Sequence, residues 1–589
     1  MLVHARHGLS LNGKSSGMSW MDSDHRWFEI SRPFGFAQGS SFALGADSVC
    51  YVEGGLEACL MDARASLPRV DCHGPSGSEV APQPSLSLGL LLGLSGAALL
   101  LHVLLSGRYG YFRDELYYLS CAHHLAWGYV DMPPMIPLLA RLALVLGGSL
   151  RVLRVIAGIG GAGIVAMTML IAWRLGGGRF AQGLAGLCAL IVPEYLVTGG
   201  LFSMNLFEKL FWAGCVYLLI RIIQTGGSRL WIGFGAVSGF GLMNKHSILF
   251  FGFAVLVGLI LTESRKEFAK PWIWIGGLIA VLIFSPNVIW QVQHHFPTIE
   301  DLQNVRATGK NVILGPVAFI QAQVTMMHPI LFPVWLAGLW FLFAGKGVRY
   351  RLLGWMYLIL LAIFVVLHGK DYYLAPAYPM LLAGGTVAIE NWLDSNPTSR
   401  GRFWPKAAIV IAIAVAGAVT APLALPLLSP AGYVAYQQKL HIRTRKTEVH
   451  HDGPLPQFLG DQFGWPELTA DVARIYNSLP PEERKNTGIL TGNFGEASAI
   501  DMFGPRYGLP AAMSGNLNYY YWGTRGFTGD NVITVRYGPR YLNEICKSVE
   551  RVGEHTNPWG MEEENNAIFF CHGLKEPLTR IWEDQKNWN

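Results

Sequence analysis

The chain has 589 residues, of which 51% are hydrophobic and 14% charged, and its mean hydropathy is +0.31. A soluble globular protein carries about 25% charged residues, so an ordinary soluble enzyme is excluded. The formal net charge of +5 is spread without a long basic run, which gives no grounds for a nucleic-acid partner.

Residues 1–84 are rich in Gly, Ser, Asp and Arg and show no sustained period. They lack the layout of a signal peptide, so the stretch is expected to be disordered or to reflect a start site assigned too far upstream. Apolar blocks then begin. A helix needs roughly 20 apolar residues to cross a bilayer core, and on that basis about eleven spans are expected. They lie at 86–105, 152–173, 180–200, 206–223, 230–244, 247–261, 272–290, 330–343, 352–367, 374–392 and 407–428. The apolar stretch 135–146 is too short to span and reads as an interfacial or re-entrant helix.

Lys and Arg in short loops set orientation. Arg174 and Arg179, Arg221 and Arg229, Arg265 to Lys270, Lys346 to Arg351 and Arg400 to Lys406 fall in alternate loops. Those loops should be cytoplasmic. The N-terminus should then also be cytoplasmic, and the loops 107–134 and 291–329 and the tail after Ser429 should lie outside. Within the tail, 430–589, hydropathy falls and strand-like alternation appears in GILT at 488–491 and VITVR at 532–536, with a helical stretch at 467–476. This reads as an α/β module of ordinary domain size, periplasmic by the orientation argument. Among eight cysteines no Cys/His metal spacing appears. Cys546 and Cys571 share the module and would pair in an oxidising compartment, with two buried thiols as the alternative.

The chemistry concentrates in the outward loops. The first reads GYFRDELYY at 110–118 and WGYVDMPP at 127–134. A charged cluster at a membrane boundary with tyrosines also fits a simple interfacial anchor. What favours a site is the combination of two acids, Asp114 and Glu115, an arginine, Arg113, aromatics and a rigid Pro-Pro closure. Sugar transfer from a phosphate-linked donor needs a base for the acceptor hydroxyl and cations for the departing phosphate. Asp114 suits the base. Arg113, Lys245 and Lys370 suit the phosphate, and the same binding group takes in His246, His294, Tyr372 and Tyr373. Lys245 and His246 interrupt an apolar hairpin, where a charge is costly unless it is paired or solvated. A lysine snorkelling to the surface is the plain alternative. The aromatic run YYYW at 519–522 reads as core filling or as a sugar-stacking patch.

The motifs RDELYY at 113–118, GYVDMPP at 128–134, SMN at 203–205, NKH at 244–246, the loop 290–297 and GKDYYLAPAYP at 369–379 resemble bacterial members of the dolichyl-phosphate-mannose protein mannosyltransferase family, of the aminoarabinose transferase type. The resemblance runs from about 86 to 428. It implies a GT-C fold, a polytopic α-helical membrane protein with its active site at the outer face of a bacterial inner membrane. It also implies a polyprenyl-phosphate sugar as donor, an envelope glycolipid, polysaccharide or protein as acceptor, and Asp114 as the catalytic acidic residue with Glu115 beside it as a second catalytic candidate. One departure stands out. Many relatives place an acid in the second outward loop, where this chain has Asn205 with Glu208 nearby. No cofactor is called for, and a divalent cation is the open alternative. The competing reading is a multi-pass transporter or flippase of lipid-linked sugars, against which stands the absence of a clear repeat between the two halves of the span pattern.

Overall fold

The computed structural model describes residues 83–395, 399–442, 446, 448–449 and 452–588. Upstream of Gln83 it describes only five short strands, Leu9–Ser10, Gly17–Met21, Trp27–Ser31, Ser41–Gly45 and Ser48–Val52, in a unit of their own. The rest of the stretch expected to be disordered lies outside the described residues.

Residues Gln83–Asn589 form one compact unit. Its helices begin with α1 (Leu88–Leu105), α2 (Arg113–His123), α3 (Met135–Val145), α4 (Leu150–Arg174), α5 (Arg179–Ile191), α6 (Pro193–Gly200), α7 (Met204–Thr225), α8 (Leu230–Asn244), α9 (Ile248–Ile260) and α10 (Pro271–Gln293). Among the described residues, five helices are long and apolar enough to cross a membrane, and the number rises to eight if each of three sharply bent pairs is one span. By length and composition alone, three of the eleven expected spans fall outside this set. Span 206–223 is α7, whose Glu208 and Lys209 are buried against neighbouring helices. Span 230–244 is α8, an apolar helix of only 15 residues. Span 374–392 opens in a 3₁₀ segment, Asp371–Ala377, before the helix Tyr378–Asp394. The expected span 180–200 is broken into α5 and α6, bent by 65°. The break falls at Pro193, which has no N–H to continue the ladder and instead starts the second helix.

Apolar residues alone give no directional packing in lipid, so close backbone approach matters. It is visible where α8 meets α10: a Cβ on Gly235 would collide with the Gly276 carbonyl. The expected short helix at 135–146 is present as α3.

The C-terminal part is the expected α/β module. Its five-stranded sheet has the order Met513–Ser514, Thr487–Thr491, Asn531–Val535, Asn566–Leu574, Cys546–His555. The two sequence-legible strands are parallel neighbours, with Ile489 opposite Ile533. A parallel pair needs a crossover, and the chain between them includes the helix Phe494–Phe503. The last two strands are antiparallel, and Cys546 and Cys571 are joined by a disulfide, with Cα atoms 5.6 Å apart. The module does not hang free of the helices. Leu116 and Tyr117 of α2 share one continuous core with Trp465, Val472, Phe494 and Tyr519 of the module.

Candidate active site

Three adjacent residues at the start of α2 have three different fates. Glu115 is fully buried, Arg113 has a side chain 8% exposed, and Asp114 is 35% exposed. Glu115 was expected to share in catalysis. Its carboxylate instead accepts from the Phe112 N–H at 2.9 Å, the Phe202 N–H at 2.9 Å, and Arg154 Nε and Nη2 at 3.2 and 3.0 Å. Four donors occupy the lone-pair sites of an ionised carboxylate, which leaves no oxygen for a substrate proton. Glu115 therefore ties α2, α4 and the segment before α7 together.

Arg113 was expected at the phosphate. It lies 3.5 to 3.9 Å from Glu563, Asp461 and Glu564 of the module and from Asp114, and its backbone N–H donates to the Asp461 carbonyl at 3.1 Å. Its guanidinium is thus taken up mainly by acids that dock the module.

Asp114 keeps an accessible carboxylate. Burial pushes its pKa up; Arg113, Lys310 and Lys370 pull it back, and the charge of Glu448 pushes it further up. The charges acting on Asp114 thus come from two other loops, through Lys310 and Lys370, and from the linker, through Glu448. Lys370 bonds Glu448 at 3.0 Å. Glu448 is held in place by an antiparallel bridge to Asn311 and by the Val449 N–H donating to the Lys310 carbonyl at 2.9 Å. Lys310 and Glu448 were not singled out from the sequence. No side-chain partner is found for the Lys310 ammonium among the described residues, and burial pushes its pKa down.

Lys245 is paired. Its ammonium donates to Asn205 Oδ1 at 2.7 Å and Glu208 Oε2 at 2.9 Å, so the two residues that mark the departure in the second outward loop are its ligands. Its ammonium lies 4.6 Å from the Tyr373 ring centre and 5.7 Å from that of Tyr372, a cation–π arrangement that links Lys245 to the loop bearing Lys370. Ser247 donates to the other Glu208 oxygen. Beside this group, Lys209 is buried against Glu194 at 3.1 Å.

His246 and His294 belong to a different cluster. His246 Nε2 bonds Asn287 at 3.1 Å, and Asn287 donates to the Trp127 carbonyl at 2.9 Å. His294 stacks on Trp290 at 4.1 Å and meets Tyr521 edge-on at 5.1 Å. Gly128 makes this contact possible, because a Cβ there would lie 2.8 Å from the Asn287 amide. Within the aromatic run, Tyr519 is core, with its hydroxyl 3.0 Å from Ser120, whereas Tyr521 is exposed on the histidine cluster.

Asp131 of the DMPP segment accepts from the Tyr117 hydroxyl at 3.1 Å. Its pKa is pushed up to about 7, first by burial and then by the charge of Asp301. Asp301 is itself pushed up to about 6 by burial. Among the described residues, no group of three or more His, Cys, Asp or Glu is placed to hold a metal ion.

Comparison with known proteins bears on the fold that carries these residues. The family model described as dolichyl-phosphate-mannose-protein mannosyltransferase matches residues 131–290. The crystal structure of ArnT from Cupriavidus metallidurans bound to undecaprenyl phosphate aligns over 82% of this chain and 98% of that one, at 14% identity and a TM-score of 0.52. Its apo form aligns over the same shares of the two chains, at 14% identity and a TM-score of 0.50. Among curated proteins, the lipid A galacturonosyltransferase RgtD of Rhizobium johnstonii is 24% identical over 252 residues, 42% of this chain. The chain spans about half the length of that relative, 53%. The fold is thus that of GT-C membrane proteins, as the sequence motifs implied.

Proposed function

We propose that the chain is a glycosyltransferase that moves one sugar from a polyprenyl-phosphate donor to an envelope acceptor at the outer face of the bacterial inner membrane. The observation that carries this reading is Asp114, an accessible carboxylate whose charged neighbours include Lys310 and Lys370. In the reaction, the acceptor hydroxyl oxygen attacks the anomeric carbon and its proton passes to Asp114. The bond from that carbon to the phosphate oxygen breaks, and polyprenyl phosphate leaves with the bonding pair. A raised carboxylate pKa strengthens the base, and lysines stabilise the charge that grows on the leaving phosphate. Lys370 and Lys310 take the phosphate role, and Lys245 orders the Tyr372–Tyr373 wall beside them. The lipid-linked donor named in the ArnT structure and the lipid A acceptor in the name of the Rhizobium relative support this choice of substrates. The cytoplasmic N-terminus and the periplasmic module follow from loop charge.

The test is Asp114→Asn in cells lacking the native chain, with envelope glycolipids and glycoproteins read by mass spectrometry. The expected result is loss of one glycosylated product, with normal membrane insertion and retained binding of undecaprenyl phosphate. Full transfer by the variant would remove Asp114 from the chemistry.

A further inference from the structure

Lys370 lies in a loop at the mouth of the helices and is mostly buried, with a side chain 20% exposed. A buried ammonium is costly without a counter-charge. In the absence of substrate that counter-charge is Glu448, at 3.0 Å. Glu448 does not come from the loops that build the rest of the site. It lies on the linker between the last apolar helix, Ser399–Ala424, and the module, 78 residues from Lys370. Its backbone bridges Asn311, with the Val449 N–H donating to the Lys310 carbonyl at 2.9 Å. Its charge acts on Lys310, Lys370 and Asp114 together.

We propose that Glu448 is a resident carboxylate in an anion subsite formed by Lys370 and Lys310, exchanged for the phosphate of the donor when the donor binds. This rests on the transferase reading above. A sugar phosphodiester carries one negative charge, as does the carboxylate, so the exchange leaves the charge count at the two lysines unchanged. For the phosphate to take its place, the Glu448 carboxylate has to leave Lys370, and the backbone bridge to Asn311 is the contact that would part. Removal of Glu448 from Asp114 also opens the side of the carboxylate from which an acceptor would approach. Site occupancy thereby becomes coupled to the position of the linker, and donor binding moves the chain that leads into the module.

The experiment uses the full chain in lipid nanodiscs, with undecaprenyl phosphate as the probe. Glu448→Gln should bind the probe several-fold more tightly than the native chain, and Lys370→Gln at least tenfold more weakly. A spin-label pair on Asn311→Cys and Val449→Cys should report one short distance without the probe and a clearly longer one at saturation. Unchanged or weaker binding by Glu448→Gln, or a label distance indifferent to the probe, overturns the exchange. In that case a weakened Lys370→Gln leaves the phosphate reading standing. Native-like binding by Lys370→Gln overturns both. If Glu448→Gln does not fold, the spin-label pair decides alone.

Discussion

Glu115 and Arg154 form a buried bidentate pair, with Nε and Nη2 of Arg154 at 3.2 and 3.0 Å from the carboxylate. Arg154 also donates to the Gly110 carbonyl at 2.7 Å and to Gln462 of the module at 2.9 Å. The residue next to the proposed base is thus part of the frame that aims it.

Removal of one partner strands the other as an uncompensated buried charge, at a cost of about 3–5 kcal/mol. Glu115→Ala and Arg154→Ala should each lower the thermal unfolding temperature sharply, and the double variant should lose much less than the sum. Asp114→Asn should leave that temperature close to native. Thermal unfolding of the purified chain in detergent checks all four variants.

The Lys245–Glu208 pair should show strong coupling of the same kind. Lys245→Gln alone leaves Glu208, among the described residues, with only the Ser247 hydroxyl as a side-chain donor. A double-mutant cycle with Glu208→Gln should give an interaction energy of about 0.5–3 kcal/mol. Negligible coupling would mean that Lys245 is free for substrate.

Asp131 predicts a pH effect. Its folded pKa of about 7 stands above the ordinary 3.8. Between those values the native state binds more protons than the unfolded state, so stability falls as pH rises from about 4 to about 7 and levels off above. Asp131→Asn should flatten this slope and raise the unfolding temperature most at pH 8. Asp301 contributes a smaller slope of the same sign, which should remain. Unfolding temperature measured from pH 4 to pH 8 checks the sign.

Asn518 of the module accepts from the Val130 N–H at 2.7 Å, a buried contact. Asn518→Leu leaves that donor unpaired at a cost of about 1–3 kcal/mol. Because the Asn518 N–H also faces the hydroxyl of Tyr117, on the helix that bears Asp114, transfer activity should also fall, and more in kcat than in KM. Steady-state kinetics on the purified variant tests this.

Much of this site could be read before any coordinates, but not evenly. Asp114 was legible because an acid beside aromatics and prolines at a membrane boundary is unusual, and Lys245 because a charge in an apolar hairpin demands a reason. The roles of neighbours in sequence were not legible. Arg113, Asp114 and Glu115 point in three directions set by the turn of α2, and the partners of Glu115, at 154 and 202, are fixed by packing. Arg154 did carry a signal, a lone arginine inside an expected span, which commonly marks a paired charge. Glu448 carried none, since nothing in its local sequence identifies Lys370 as its partner. The strands at 487–491 and 531–535 were legible from β-branched alternation. Helix ends and breaks were less legible than apolar blocks: α8 stops after 15 residues, and the block 180–200 is split at Pro193.

The shared core between α2 and the module bears on how such chains can be recombined. Leu116 and Tyr117 pack in the same cluster as Trp465 and Phe494, so a cut at residue 430 would sever one hydrophobic body rather than separate two. Chimeras that graft a foreign tail onto these helices should aggregate unless α2 and the turn at Gly110 travel with it. Diversification of the tail is therefore tied to the loop that bears Asp114, and the two are expected to be inherited as a single cassette.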